Sequence, residues 1–424
     1  MQHVDVAVIG AGPAGLAAAV KARASGVKKV VVIERTKYPG GLLEQCIHNG
    51  FGLHYFKEDL TGPEYAARFV EKARDLNVDM RLDSMVLNIS GDRRISFVNK
   101  RDGLVTLTAG AIVLAMGCRE RTGPSIMLAG TRPAGIFTAG TAQRYINIEG
   151  FIPGKEIVIL GSGDVGMIMA KRLSLEDVEV KAVVEILPYV GGLIRNEVQC
   201  IHDFEIPLML GHTVTEIHGR DRVEAVTVAK VDKNRQPIVG TMKRIKCDTL
   251  LLSVGLIPEN ELSRMAGVKL DSTSGGPIVD ETMQTSVPGI FAGGNVVHVH
   301  DLVDHVTEEA EAAGASAAKY IMGKLKSGIR KLNLKAGENI KYVIPHTITG
   351  EKEVILYARV KEPAMKVRVK VGNIFNKPLR VVRPSEMLKI HLSPRELEKG
   401  RDGLTELVVS CVGKEQQNKK INIS

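Results

Sequence analysis

A strand–glycine turn–helix–strand pattern occurs twice in this chain, and it constrains the fold more than any other feature. In the first copy, a β-like run leads into the turn Gly10–Gly15, and a second β-like run ends at Glu34. In the second copy, the turn is Gly161–Gly166 and the acid is Glu185. In both copies 24 residues separate the first glycine from the acid. This spacing is typical of a dinucleotide-binding βαβ unit.

The residue types in the first turn suit a bound pyrophosphate. Gly10 permits a tight turn, Gly12 lets the backbone approach the phosphates, and Gly15 lets the helix contact the strand. The start of the helix offers free N–H groups and a partial positive charge. Glu34 can accept hydrogen bonds from a ribose diol. One such motif is weak evidence, but two copies at equal spacing predict two nucleotide sites.

The order of the remaining segments predicts how the two units are connected. A β-rich stretch follows each copy, at residues 80–108 and 213–249, and each stretch ends in an apolar strand with a glycine, Gly117 or Gly255. We expect an α/β fold with two Rossmann-like three-layer ββα nucleotide-binding domains, the second inserted in the first, plus a small β-rich C-terminal domain. The first domain should end with a helix at about Thr307 to Ile321. The expected ranges are 1–115 with 256–328 for the first domain, 116–255 for the second and 329–424 for the third.

The C-terminal quarter differs from the rest of the chain in its hydrophobic pattern and in its net charge. Residues 366–370 alternate cationic and apolar side chains, as a strand with one wet face does. Ser393 to Glu396 predicts a helix start with a Ser cap, a proline and a returning glutamate. From Lys331 to Ser424 there are 19 Lys and Arg against 10 Asp and Glu, which accounts for the net charge of +9. This segment either faces an acidic partner or is a solvated basic surface.

Cysteine usage and hydropathy indicate the compartment. The five cysteines are scattered and form no CxxC pair, which argues against a disulfide framework and favours a reducing compartment. No run is long and apolar enough to span a bilayer, and no signal peptide precedes the first strand. We therefore expect a soluble, cytoplasmic protein without a transmembrane segment.

Several motifs together resemble the two-dinucleotide-binding-domain flavoprotein superfamily, which contains thioredoxin reductase and glutathione reductase. The motifs are 10–15, 40–41, 115–117, 161–166, 255–258 and 285–295, and they span residues 1 to about 325. The resemblance implies FAD in the first copy and a nicotinamide cofactor in the second. It implies FAD contacts from Gly10, Gly12, Pro13, Ala14, Gly15, Glu34, Arg35, Gly41, Leu42, Gln45, Ala115, Gly117, Gly294, Asn295, Val306 and Thr307. It implies nicotinamide-nucleotide contacts from Gly161, Ser162, Gly163, Asp164, Val165, Gly166, Glu185 and Gly255.

Glu185 favours NAD(H) over NADP(H) in the second copy. A carboxylate at that strand end accepts a hydrogen bond from the 2′-hydroxyl of NAD and repels the 2′-phosphate of NADP. The next residues, 186–188, supply no arginine for that phosphate. With both cofactors bound, the protein's task is to orient the nicotinamide against the flavin for hydride transfer.

The chain departs from the resembled superfamily where dithiols are expected. Glutathione-reductase-like members carry two cysteines just after the Gly-Gly pair, where this chain has Leu43 and His48. Thioredoxin-reductase-like members carry a CxxC before the second glycine motif, where residues 136–143 contain no cysteine. Disulfide reduction is therefore not expected. Asn295 replaces the usual aspartate, and its amide can still hydrogen-bond the ribityl hydroxyls.

The catalytic residues are not identified by the sequence, but four side chains are candidates for positions near the flavin: Cys46, His48, His300 and His305. Cys46 and His48 follow the Gly-Gly pair. They either act beside the flavin, as an acid/base pair or as a reactive thiol, or belong to a loop that packs under the flavin. The segment 298–305 is rich in metal-ligand types. We expect no bound metal, and expect that His300 or His305 lines the flavin cavity and stabilises negative charge on reduced flavin.

Residues 40–52 and 295–303 resemble one branch of the superfamily more closely. This branch comprises NAD/FAD subunits that accompany glycerol-3-phosphate dehydrogenase-type flavoproteins, and related amine, opine and cyanide-forming dehydrogenase subunits. The resemblance implies that this chain is the electron-transfer subunit of a hetero-oligomer. Its implied partner is a substrate-oxidising flavoprotein subunit. A small iron–sulfur or cysteine-containing subunit is a further candidate partner. One alternative is a stand-alone NADH oxidase or NADH:acceptor reductase. Another is a basic nucleic-acid-binding or scaffold protein with inert nucleotide folds, which the low aromatic content disfavours.

Overall fold

The computed structural model describes residues 2–325, 331–398 and 405–413. In chain order the strands are β1 (Gln2–Ile9), β2 (Val30–Ile33), β3 (Asn49–Phe51), β4 (Leu60–Thr61), β5 (Asp79–Arg81), β6 (Ser84–Ile89), β7 (Arg94–Asn99), β8 (Gly103–Leu114), β9 (Cys118–Glu120), β10 (Ile136–Thr138), β11 (Glu156–Leu160), β12 (Glu179–Glu185), β13 (Leu208–Leu210), β14 (His212–His218), β15 (Ala225–Lys230), β16 (Lys243–Lys246), β17 (Thr249–Leu252), β18 (Leu256–Pro258), β19 (Ile290–Ala292), β20 (Leu332–Ala336), β21 (Ile340–Ile344), β22 (Thr347–Ile348), β23 (Val354–Val360), β24 (Ala364–Val371), β25 (Phe375–Val382), β26 (Leu388–Leu392) and β27 (Glu406–Gly413).

The α-helices are α1 (Pro13–Ala24), α2 (Gly62–Asp75), α3 (Ala139–Arg144), α4 (Asp164–Ser174), α5 (Ile194–Glu197), α6 (Glu261–Met265), α7 (Val303–Ile321) and α8 (Pro394–Glu398). Within the described residues, no helix combines the length and apolar character needed to cross a lipid bilayer. The chain divides into two compact units, one formed by Met1–Cys118 with Pro258–Ser424 and the other by Arg119–Ile257. The expected boundary between residues 328 and 329 lies outside the described residues.

The first unit contains a sheet in the order β5-β2-β1-β8-β7-β6, with β19 on the other side of β8. Strands β5, β2, β1, β8 and β19 are parallel, whereas β7 and β6 extend β8 as an antiparallel meander. In register, Ile9 is paired with both Ile33 and Leu114, and Leu114 also with Ala292. The chain therefore leaves four neighbouring strands at one edge of the sheet, where open α/β sheets bind ligands.

The second unit repeats this arrangement. Its parallel sheet has the order β10-β17-β11-β12-β13, and β14, β15 and β16 form a separate antiparallel sheet. Leu160 is paired with Val184 and with Leu252. The turn after β11, the acid at the end of β12 and the residues after β17 consequently lie at one edge.

The C-terminal strands form one five-stranded sheet, β22-β20-β27-β24-β25, and one three-stranded sheet, β21-β23-β26. These strands enclose their own apolar core, in which Val367 and Val369 of the alternating segment are buried. Tyr342, Ile344 and Tyr357 belong instead to the core of the nucleotide-binding sheet. The C-terminal strands thus share buried surface with the first nucleotide fold.

Two helix starts test the local predictions. The expected capping box at α8 is confirmed, because Ser393 Oγ lies 3.4 Å from the N–H of Glu396 and Glu396 Oε2 accepts from the N–H of Ser393 at 2.8 Å. Helix α7 begins at Val303 rather than at about Thr307. Leu302 is extended just before it, so the helix gains a turn that contains Asp304 and His305.

Candidate cofactor site

The turn between β1 and α1 has the space that a bound phosphate needs. Gly10 has φ +104°, and a Cβ added to it would lie 2.6 Å from the carbonyl oxygen of Ala115. A Cβ on Gly15 would overlap the carbonyl oxygen of Gly10. A Cβ on Gly12, in contrast, meets nothing nearer than Cα of Gly41 at 4.0 Å. Gly10 and Gly15 are therefore required by packing, whereas Gly12 borders free space.

The start of α1 faces this space without a side-chain cap. Gly12 is the N-cap residue, Pro13 opens the helix, and no acidic residue lies in the first turn. The first-turn N–H groups and the positive end of the helix dipole suit an anionic group. Ala14 and Gly15, both predicted FAD contacts, are buried in this turn. These residues fit the pyrophosphate of FAD.

Glu34 braces the first turn from the end of β2. Its Oε2 accepts a hydrogen bond from the N–H of Ala11 at 2.7 Å. Its Oε1 accepts from the N–H and the hydroxyl of Thr36, both at 2.8 Å. A carboxylate has about four acceptor positions, so about one remains for a ribose hydroxyl.

Glu185 occupies the equivalent position in the second unit. Its Oε2 accepts from the N–H of Ser162 at 2.8 Å and from the Ser162 hydroxyl at 2.7 Å. Its Oε1 accepts from the N–H of Leu187 at 2.9 Å. The two acids are thus equivalent in geometry as well as in spacing, since each connects its glycine turn to the backbone after its strand.

The second turn differs from the first at the start of its helix. Gly166 donates its N–H to Ser253 Oγ at 3.1 Å, which holds α4 against the end of β17. Asp164 opens the helix, and its Oδ1 accepts from the N–H of Leu193 at 2.8 Å and from Asn196 Nδ2 at 2.6 Å. The other predicted contacts are Gly161, with φ +98°, Gly163 at the N-cap, Val165 in the first turn and Gly255 after β17.

The Gly-Gly segment packs directly on the first turn. Gly40 donates its N–H to the carbonyl oxygen of Ala11 at 2.8 Å, and a Cβ on Gly41 would lie 2.8 Å from Cα of Gly12. A 3₁₀ helix, Gly41–Gln45, carries the predicted contacts Leu42, which is exposed, and Gln45. Arg35, after β2, is also exposed. The structure therefore brings this segment to the same edge as Gly12.

The segment after β19 completes that edge. Gly294 has φ +78° and donates its N–H to Glu309 Oε1 at 2.8 Å. Asn295 uses its side chain within the protein: Oδ1 accepts from the N–H of His300 at 3.0 Å, and Nδ2 lies 3.6 Å from Cys118 Sγ. Asn295 therefore shapes the turn, and its predicted contact with the ribityl chain stays a prediction.

The remaining predicted FAD contacts lie on α7 and after β8. Val306 is buried, and Thr307 is fully buried with its hydroxyl 2.7 Å from the Tyr65 hydroxyl. Ala115 receives the close approach of Gly10, and Gly117 has φ +73° with no atom near an added Cβ. Tyr65, on α2, was not singled out from the sequence.

The two candidates after the Gly-Gly pair differ in environment. Cys46 is buried, its thiol donates to the Leu42 carbonyl oxygen at 3.3 Å, and burial raises its pKa to about 12. His48 is half-buried, with its ring 5.1 Å from that of Phe51. A thiol with so high a pKa is a poor nucleophile at neutral pH, which disfavours the reading of Cys46 as a reactive group.

The two histidine candidates on the other side of the motif lie in a crowded aromatic region. His300 is buried, and its ring centroid is 4.0 Å from that of His298. His305 is half-buried with its ring 5.7 Å from that of Tyr357, and burial lowers its pKa to about 4. Glu309, which contacts both His298 and His300, was missed. The only signal for it in the sequence is a charged residue in an Ala-rich helix.

Comparisons with known proteins find a matching family and several similar proteins. A family model described as pyridine nucleotide-disulphide oxidoreductase matches residues 4–317. The chain is 25% identical over 314 residues to hydrogen cyanide synthase subunit HcnB of Pseudomonas protegens, covering 68% of this chain and 65% of that protein. It is 25% identical over 350 residues to one of the opine oxidase subunits of Agrobacterium tumefaciens, covering 76% and 66%. The matches thus span about two thirds of each relative. The crystal structure of T. acidophilum thioredoxin reductase aligns with a TM-score of 0.59 and 27% identity, over 76% of this chain and 99% of that one.

Proposed function

The chain belongs to the pyridine nucleotide-disulphide oxidoreductase family, whose enzymes use FAD and NAD(P)H, and we propose that it serves as the electron-transfer subunit of a heteromeric substrate dehydrogenase. Bound FAD would supply the chemistry that accepts a hydride from NAD(H) or returns one to it. The partner would be a substrate-oxidising flavoprotein, of the glycerol-3-phosphate dehydrogenase type or a related one.

The chain's own residues would bind and orient the two nucleotides. The uncapped start of α1 and the space beside Gly12 would hold the pyrophosphate of FAD. Glu34 fixes that turn and has one acceptor position left for the ribose. In the second unit, Glu185 does the same and disfavours a 2′-phosphate, which is the basis for proposing NAD(H). No general acid or base is needed for the hydride step.

The single observation that carries the proposed role is the absence of a redox dithiol at the sheet edge where the predicted FAD contacts lie. Leu43 is buried where a cysteine would be needed, and no disulfide joins any of the five cysteines, all of which lie within the described ranges. Cys46, the nearest thiol in sequence, is held protonated by burial. Electrons therefore have no internal disulfide to reduce, and an external acceptor or donor is required. The hydrogen cyanide synthase and opine oxidase relatives, named as subunits of larger enzymes, support a partner protein in that place.

The hairpin β24–β25 is a suitable docking surface for such a partner. Residues 364–383 contain six Lys and Arg and no acidic residue. Lys366, Lys377 and Arg380 are exposed, and Lys370 is half-buried. β25 is an edge strand of the five-stranded sheet. A cationic edge of this kind attracts an acidic protein surface and also prevents edge-to-edge pairing with another sheet.

The test is purification of the native complex with an affinity tag on this chain, followed by a visible spectrum. We expect a yellow protein that bleaches when NADH is added without oxygen, and a co-purifying chain with its own flavin or iron–sulfur absorption. Replacing Lys370 and Arg380 by Glu should release the partner, whereas the same change at exposed Lys28 and Lys29 should not.

Two outcomes would overturn the proposal. A colourless protein that takes up no FAD would exclude a flavoprotein role. Rapid NADH turnover with oxygen or a quinone by the isolated chain, together with no co-purifying partner, would favour the stand-alone oxidase instead.

A further inference from the structure

A buried cluster of three titratable side chains lies next to the turn after β19. His298 and His300 come from the segment after the Gly293–Asn295 turn, and Glu309 comes from α7. Their side chains are 0%, 0% and 1% exposed. The two histidines are two residues apart and project to the same side, and the glutamate lies opposite them. Nothing in the proposed electron transfer uses this cluster.

The ligand atoms of the cluster converge as they would around a metal ion. His298 Nε2 lies 2.9 Å from Glu309 Oε2, and His300 Nε2 lies 3.4 Å from Glu309 Oε1. One ligand atom from each of the three residues lies within 4.8 Å of the others. A tetrahedral zinc site with bonds of about 2.0–2.1 Å spaces its ligand atoms about 3.3 Å apart. The two histidine–glutamate separations, 2.9 and 3.4 Å, lie within about 0.4 Å of that spacing.

The cluster also contains polar atoms that the described protein leaves unsatisfied. Nδ1 of His298 and both ring nitrogens of His300 are buried without a hydrogen-bond partner among the described residues. Nε2 of His300 is near Glu309 but is not aligned for a hydrogen bond with it. A buried ring nitrogen without a hydrogen-bond partner is unfavourable, so it calls for a ligand. A bond from His300 Nε2 to a metal ion would satisfy the atom that Glu309 does not.

The charges around the cluster favour a cation in its centre. No Lys or Arg among the described residues pairs with Glu309. The guanidinium of Arg359, on β23, is paired with Asp301 at 2.6 Å. Two imidazoles with one carboxylate form a donor set that divalent zinc, iron and cobalt accept.

We propose that His298, His300 and Glu309 bind a divalent transition-metal ion, with Zn²⁺ as its representative, and that the ion has a structural role. The rings of Tyr342 and Tyr357 lie against His298 at 5.7 and 5.8 Å and close the site on the side of the C-terminal strands. Ligand side chains this deeply buried suit a structural ion. The ion fastens the 298–300 segment to α7.

The proposed metal site is connected through one residue to the turn predicted to contact FAD. Glu309 Oε1 accepts the N–H of Gly294 at 2.8 Å, and Gly294 belongs to the turn predicted to contact FAD. The ion would therefore fix the carboxylate that positions this turn. Loss of the ion should loosen FAD binding without removing any group that contacts the nucleotide.

The experiment measures metal content in the full-length protein, purified without a histidine tag and without chelator, by elemental mass spectrometry. We expect about one divalent ion per chain, retained through dialysis. His298→Gln and His300→Gln should each lower the metal content at least about tenfold. His305→Gln is the matched control, because it removes a nearby imidazole outside the cluster and should leave the metal content unchanged.

A second measurement avoids variants that fail to fold. Wild-type protein depleted of metal and loaded with Co²⁺ should show visible bands of the protein-bound ion at wavelengths beyond the flavin absorption. Excess Zn²⁺ should abolish these bands. Wild-type protein that contains no divalent ion and takes up neither Zn²⁺ nor Co²⁺ would overturn the site, as would equal metal content in wild type and His300→Gln. These readouts do not depend on NADH turnover, so they can fail while the proposed function stands.

Discussion

Arg359 and Asp301 form an ion pair in which Nη2 of the guanidinium lies 2.6 Å from Oδ1 of the carboxylate, with the side chains only 13% and 12% exposed. Arg359 belongs to β23 of the C-terminal strands, and Asp301 lies just before α7. Arg359 also donates to the Val299 carbonyl oxygen at 2.9 Å, and Asp301 Oδ2 accepts the N–H of Met387 at 2.6 Å. The C-terminal strands are thereby bonded to the segment that follows the FAD turn.

Arg359→Ala should destabilise the first unit and weaken FAD retention. Removing one member of a buried ion pair leaves an uncompensated charge, which costs about 3–5 kcal/mol. Urea unfolding followed by fluorescence gives the free energy, and the flavin-to-protein absorbance ratio after gel filtration gives the retention. Lys335→Ala is the control, because its pair with Glu406 is solvent-exposed and should contribute less than about 1 kcal/mol. Similar unfolding free energies for the two variants would contradict the role given to Arg359.

Gly12 and Gly15 should respond differently to alanine. At Gly12 an added methyl group has room in the protein but occupies the space assigned to pyrophosphate. We expect Gly12→Ala to fold with stability within about 1 kcal/mol of wild type and to bind FAD at least about tenfold more weakly. Gly15→Ala should fold poorly, since the methyl group overlaps the Gly10 carbonyl oxygen. Calorimetry with FAD and thermal unfolding without it separate the two effects. Unchanged FAD affinity in Gly12→Ala would contradict the assignment of this space to the pyrophosphate.

The sequence predicted those parts of the fold that local patterns encode. The two glycine turns, their flanking strands and the acids at Glu34 and Glu185 lie where the repeat placed them. The superfamily, the fold class and the use of FAD and a pyridine nucleotide are confirmed by the family match and the structural similarity. The individual contact residues and the domain boundaries stay predictions.

The contacts that the sequence did not reveal join residues far apart in the chain. Arg359 and Asp301 are 58 residues apart, and Tyr65 and Thr307 are 242 apart. No periodicity or spacing rule links such pairs, because a buried polar contact depends on which elements pack together. Glu309 was missed for the same reason. As a residue of an Ala-rich helix it looks solvent-exposed in sequence, whereas its side chain is buried against two histidines.

Glu185→Gln should narrow the preference for NADH over NADPH. The glutamine keeps the size and one acceptor oxygen for Ser162, but it removes the charge that opposes a 2′-phosphate. A change of about 1.4 kcal/mol, or about tenfold in the ratio of the two kcat/KM values, is the expected scale. Glu179→Gln, at the exposed start of the same strand, is the control and should leave the ratio unchanged. A ratio that widens in Glu185→Gln would contradict the assignment of Glu185 to the ribose.

Cys46 should be unreactive in the folded protein. With a pKa raised to about 12 by burial, roughly one molecule in 10⁴ carries the thiolate at pH 8. Iodoacetamide should therefore modify the partly exposed Cys118 but not Cys46, and should modify both after unfolding in urea. Mass spectrometry of the digested protein gives the extent at each cysteine. Rapid alkylation of native Cys46 would restore the thiol role that the sequence left open.

His346 should make the first unit lose stability as the pH falls below neutrality. Its Nδ1 accepts the N–H of Val279 at 3.1 Å, its Nε2 is buried without a partner among the described residues, and burial lowers its pKa. Because the unfolded chain binds the proton more readily, the neutral ring contributes stability above the unfolded pKa of about 6.5, and that contribution is lost as the pH falls towards the lowered folded value. His346→Asn retains an acceptor for Val279 but cannot titrate, so the drop in urea midpoint from about pH 7 to about pH 5 should be smaller than in wild type.

His298 and His305, whose pKa values burial also lowers, are present in both proteins. The difference between the drop in wild type and the drop in the variant therefore isolates His346. Equal drops would show that the ring at position 346 takes up its proton as easily in the folded protein as in the unfolded chain.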